Sequence, residues 1–161
     1  MKQKDLQIIS LLRKNSRESL VNLSKTTGVP VSTIFEKLKT NFYDVIDRYT
    51  LLIDFQKINL PIHVFVFFKV AREQKNDFQK SMKMNPFLNS LYKINNGFDF
   101  LCEFFVPSIS FLDNLIDEVI QKYNVIDVKV EYITETLDRE HILMDQTSIE
   151  LLESMNVFRF D

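Results

Sequence analysis

The stretch Ser19–Leu38, SLVNLSKTTGVPVSTIFEKL, decides how the first third of the chain folds. Ser19 is a good helix N-cap, since its hydroxyl can accept from an N–H of the first turn; the helix it opens runs from Leu20 to about Thr27. Gly28 then tolerates positive φ, and Val29-Pro30 completes a turn. A second helix follows to about Asn41, with Ile34 and Leu38 at i, i+4 on one face. This is the grammar of a helix-turn-helix. Ser24 is small enough to let the helices approach, Gly28 makes the turn, and Val29, Ile34 and Leu38 lock the second helix in place.

Working outward, Leu6, Ile9 and Leu12, with Ile8 and Leu11 beside them, give an apolar stripe for a helix from about Lys4 to Lys14. Downstream, Asp44 to Asp54 has the β-branched and aromatic content of a short hairpin wing and an outgoing strand. Residues 1–54 are therefore expected to form a winged helix-turn-helix domain, and a change of composition marks residues 55–61 as a linker.

Residues 62–161 follow a different pattern. A strand over His63–Val70 is apolar on both faces, and a short helix is expected over Asn76–Met84. Strands over 88–94 and 98–106 are joined across Asn95-Asn96-Gly97, a strong hairpin signal. Ser110-Phe111-Leu112-Asp113 resembles a capping box for a helix with the stripe Leu112, Leu115, Ile116, Val119, Ile120 and Tyr123. Val125 to Ile133 alternates as a fourth strand. The order βαββαβ is the ferredoxin-like arrangement, so the whole chain is of the α+β class. Thr147 and Glu150 suggest a capping box for a C-terminal helix, and Val157–Phe160 a last strand.

Helices cover one face of such a sheet, yet Phe65, Phe67, Phe68, Phe98, Phe100, Leu101, Phe104 and Phe105 populate both. An apolar second face calls for a cover. A homodimer with two sheets packed about 10 Å apart supplies one, with Phe65, Phe67, Phe68 and Phe105 at the interface and room for higher assembly. The alternative is that the C-terminal segment folds over that face in a monomer.

Charge separates the two halves. Residues 1–50 hold nine Lys/Arg against five Asp/Glu, and the remainder eleven against seventeen, within an overall charge of −2. A basic head on an acidic body points to a polyanion partner at the head, because neutralising phosphates releases counterions. Double-stranded DNA is the partner that suits a helix-turn-helix. Its contacts are expected at Ser32, Thr33, Glu36, Lys37, Lys39 and Thr40 on the second helix of the motif, with Arg17, Lys25 and Arg48 on flanking phosphates.

Other classes are disfavoured. No apolar run approaches the ~20 residues of a membrane span, and the N-terminus does not read as a signal peptide, so a cytoplasmic protein is expected. The single Cys102 excludes an internal disulfide framework. His63 and His141 lie far apart with no cysteine cluster, so neither a metal site nor a cofactor is expected. There is no Gly-rich phosphate loop, no Ser/His/Asp set and no recognisable carboxylate pair, and the expectation is a non-enzyme.

Taken together, Asp5-x-x-Ile8-Ile9-x-x-Leu12, Ser16-Arg17-x-Ser19-Leu20-x-x-Leu23-Ser24, Thr27-Gly28-Val29 and Ser32-Thr33-Ile34 resemble the Lrp/AsnC family of leucine-responsive regulators. Ile46-x-Arg48-Tyr49 and Asn96-Gly97-Phe98-Asp99 extend the likeness to about Leu137. The resemblance implies a homo-oligomeric transcription regulator that responds to an amino acid or related small molecule. It implies an effector site near Asn96, Gly97 and Asp99, where Asp99 meets a ligand ammonium. The chain departs from the family in three places: Pro30 stands where Ser usually opens the recognition helix, Lys37 replaces Arg, and the segment 41–44 is one residue short. Two alternatives remain open: a ligand sensor or assembly partner with weak DNA binding, and an enzyme of the sirohaem-decarboxylase kind on the same architecture.

Overall fold

A computed structural model describes residues 3–40, Phe42 and 45–155. Asp44, at the start of the expected wing, and the strand expected at Val157–Phe160 lie outside the described residues. The chain divides into two units, Met1–Leu52 with Asp138–Asp161, and Ile53–Leu137.

The first unit is built on α1 (Gln3–Lys14), α2 (Leu20–Thr27) and α3 (Val31–Lys39). The Ser19 hydroxyl accepts from the Asn22 N–H at 3.1 Å, and Gly28 ends α2 at φ 67° with its N–H donated to the Ser24 carbonyl. A side chain at Gly28 would carry the strain of the left-handed region. Ile8, Ile9, Leu12, Leu23, Val29, Ile34 and Phe42 form the core of this unit. Pro30 caps α3 without a side-chain hydrogen bond. The helix nevertheless begins at Val31, so Pro30 does not shorten it, because proline's fixed φ suits entry into a first turn that needs no N–H donor from it.

The wing expected over residues 44–54 falls partly outside the described residues. Among the described residues 45–54 no strand appears, and Val45, Tyr49, Leu51, Leu52 and Ile53 are exposed. β-propensity there meets no partner strand among the described residues, and a strand without a ladder leaves its backbone groups to solvent.

The unit also contains α6 (Gln146–Ser154), which packs on α1. Ile149 of α6 is buried, Leu143 packs against the head core, and Arg13 donates to both the carbonyl and the carboxylate of Glu140, at 2.9 and 2.8 Å. The segment from Asp138 thus joins the head, whereas the expected domain over 62–161 kept it with the sheet. Asp145, and not Thr147, caps α6, its carboxylate accepting from the Ser148 N–H at 2.7 Å.

The second unit contains β1 (Ile62–Val70), α4 (Lys75–Lys83), β2 (Leu88–Lys93), β3 (Phe100–Val106), α5 (Ile109–Tyr123) and β4 (Val125–Tyr132). The sheet order is β2-β3-β1-β4 with antiparallel neighbours, which is the ferredoxin-like topology. α5 is capped two residues earlier than expected: the Ser108 hydroxyl, not Ser110, accepts from the Phe111 N–H at 3.2 Å. Pairing Val64 with Phe104, Val66 with Cys102 and Phe68 with Phe100 puts these residues on one face, in a core with Phe78, Met82, Leu112, Leu115, Ile116 and Val119 from the two helices.

Candidate nucleic-acid interface

Period 3.6 divides α3 into two faces. Ile34 is fully buried and Leu38 half-buried, which seats the helix on the head core. Ser32, Thr33, Phe35, Glu36 and Lys39 are exposed on the opposite side. Thr40 follows, exposed, its hydroxyl donating to the Glu36 carbonyl at 2.6 Å. Lys25 projects from the last turn of α2, Arg17 precedes that helix, and both are exposed. Arg48 is exposed, with its guanidinium 4.0 Å from the Asp47 carboxylate.

Lys37 does not belong to this group. Its ammonium lies 2.8 Å from the buried carboxylate of Asp5, with only 19% of its own side chain exposed. The expectation that Lys37 contacts DNA is therefore corrected: it ties α3 to α1. An Asp carboxylate enclosed in the head is stabilised by a nearby cation, and Lys37 supplies one.

The sheet of the second unit has one face without helices. Residues of alternating parity occupy it: His63, Phe65, Phe67 and Lys69 on β1, Leu101, Glu103 and Phe105 on β3, and Asp127, Lys129 and Glu131 on β4. Phe68 is not among them. It is wholly buried on the helix-covered face, so its expected place in a dimer interface is corrected by the parity of β1. Phe65 and Phe67 are half-buried, and the Lys129 ammonium stands 5.6 Å from the centre of the Phe67 ring. Phe105 lies between the rings of Phe55 and His63, at centroid distances of 4.0 and 4.2 Å. The 3₁₀ turn Phe55–Ile58 thus covers one corner of the face.

This face is also more polar than its phenylalanines suggested. Glu103, buried, accepts from Ser90 Oγ at 2.6 Å and Asn89 Nδ2 at 2.7 Å, and sits 2.9 Å from His63 Nε2. Burial pushes the Glu103 carboxyl up, but the bonds from Ser90, Asn89 and His63 outweigh it and hold the group below its ordinary value. Sequence reading missed this cluster because His63 and Glu103 lie 40 residues apart, Asn89 and Ser90 on a third strand, and they meet only through strand register.

The loop between β2 and β3 contains Asn96 and Gly97, both exposed, with Gly97 at φ 94°. Asp99 is already engaged by its own chain. One carboxylate oxygen accepts from the Val70 N–H at 3.0 Å and the other from the Lys75 ammonium. Burial raises the Asp99 carboxyl, while Lys75, the Val70 N–H and the charge of Lys69 lower it further, below the ordinary range. The ammonium that Asp99 meets here is thus that of Lys75, where the resemblance implied a ligand's.

No family model matches the chain. The glutamate uptake regulatory protein of Zymomonas mobilis is 27% identical over 143 residues, covering 86% of this chain and 87% of that protein. LrpC of Bacillus subtilis, an HTH-type transcriptional regulator, is 24% identical over 117 residues, covering 72% and 81%. The solved structure of B. subtilis LrpC superposes with a TM-score of 0.79 at 22% identity, covering 87% of this chain and 99% of that one. A transcriptional regulator from Neisseria meningitidis in complex with L-Met gives a TM-score of 0.79 at 19% identity, covering 86% and 93%. The order of helices and strands, and the head built around Ser19 and Gly28, agree with these comparisons: along most of its length the chain is similar to helix-turn-helix transcription regulators of the Lrp/AsnC kind.

Proposed function

We propose that the protein is a sequence-specific DNA-binding transcription regulator that acts as a homo-oligomer. The observation that carries this reading is the exposed face of α3, where Ser32, Thr33, Glu36 and Lys39 project from a helix seated by Ile34, in a head with nine Lys/Arg against five Asp/Glu over residues 1–50. Hydroxyls and a lysine on such a face reach phosphates or base edges, and Glu36 can accept from a cytosine amino group. The first turn of α3 has no side-chain acceptor from Pro30, which leaves the positive end of the helix suited to a phosphate. Arg17, Lys25 and Arg48 supply flanking cations.

Self-association is assigned to the uncovered sheet face, with Phe65, Phe67 and Phe105 as its apolar part. An effector of the amino-acid class is consistent with the L-Met complex of the Neisseria relative. Asn96, Gly97 and Asp99 remain its proposed site, on the condition that a ligand ammonium displaces Lys75 from Asp99. Selection of binding sites from random duplexes, followed by footprinting, tests the reading. The expected result is a reproducible site whose protected half-sites lie about one helical turn, or a multiple of it, apart. Recovery of no enriched sequence overturns it.

A further inference from the structure

We infer that Phe35 is a specificity-determining residue that reads the C5-methyl group of a thymine in the major groove. The inference rests on the DNA-binding reading above and adds to it a side chain and a base. Phe35 lies on α3 at i, i+3, i+4 spacing with Ser32, Glu36 and Lys39, all exposed. Phe35 is 51% exposed, and Val31, one turn earlier, is 39% exposed. The head core does not use the ring, since Ile34 and Phe42 fill the space beneath α3. A helix face that otherwise presents Ser32, Thr33, Glu36 and Lys39 thus carries a half-exposed aromatic along one flank.

Charge complementarity selects the occupant. Lys39 shares the face with Phe35, and Arg17 and Lys25 stand exposed before and at the end of α2 in the same unit. A polyanionic duplex is the partner that fits. Among the base edges in the major groove, the thymine methyl is the apolar group, so a phenyl ring brought there discriminates by burying it. Neighbouring Glu36 reads a hydrogen-bond donor, and the two side chains together distinguish a base pair by shape and by polarity.

The experiment uses the full chain and the duplex recovered by site selection. Each thymine is replaced singly by deoxyuridine, which keeps the base pair and its O4 acceptor and removes only the methyl. At one thymine per half-site the replacement should weaken wild-type binding about fourfold, the effect of one buried methyl. Phe35→Ala should bind the two duplexes equally, with an unchanged salt slope and unchanged thermal unfolding. Phe35→Leu, which keeps an apolar side chain, should retain part of the discrimination. Three results overturn the inference: a selected site with no required thymine, wild-type affinity indifferent to deoxyuridine at every position, or a full thymine preference retained in Phe35→Ala. In each of them salt-sensitive binding by the wild type keeps the DNA reading intact. Failure of the wild type to bind any duplex at low salt overturns that reading, and the inference with it.

Discussion

Lys37 and Lys39 stand two residues apart on α3, and geometry gives them different work. Lys37→Ala removes the ion pair to the buried Asp5 carboxylate and should destabilise the head by about 3 kcal/mol in denaturant unfolding. Lys39→Ala should shift stability by less than about 0.5 kcal/mol and instead flatten the salt dependence of duplex binding by about one per head. The reverse pattern would contradict the placement of both. Glu103 makes a prediction in pH. Its folded carboxyl is held below 4.5, so its network stabilises the sheet at neutral pH and is lost as pH falls through that depressed value. Melting temperatures between pH 6 and pH 3 should therefore fall more steeply for wild type than for Glu103→Gln, and parallel curves would count against the network. Neither pair of partners was legible in the sequence. Asp5–Lys37 spans two helices and His63–Glu103 two strands, so each depends on packing that no local pattern encodes. Ser19 and Gly28 were legible because a cap and a positive-φ turn are decided within four residues.

Among elements, α6 departs most from expectation. Its helical tendency is local, but its docking on α1 depends on Ile149 and Leu143 finding the head core. Ile149→Ala should cost about 3 kcal/mol. The loss should appear as faster amide exchange in α1, and unchanged exchange there would show that α6 does not support the head. The wing is the converse case. Residues 45–54 have strand composition, yet a strand forms only where another strand completes its hydrogen bonds. Strand order was legible because alternation and the turn signals of β1–β4 are strong. The face of each phenylalanine was not, since three apolar residues in Phe65, Phe67 and Phe68 obscure a parity that only the pairing with β3 reveals.

At the scale of the whole molecule, the proposed function needs a head that reads DNA and a sheet face on which two copies associate. Phe67→Glu puts a charge on the sheet face proposed for self-association and should sediment as a monomer where the wild type sediments as a dimer, whereas Phe68→Glu should unfold the sheet unit instead. A Phe67→Glu protein that sediments like wild type would remove that face from the assembly. The central claim is that the head binds duplex DNA through its phosphates, with α3 set to read the bases. The most direct test is the affinity of the full chain for its selected duplex as a function of salt. If Arg17, Lys25, Lys39 and Arg48 of two heads each neutralise a phosphate, log affinity should fall with log salt at a slope of roughly −7. A flat salt dependence, or no duplex binding at low ionic strength, would contradict it.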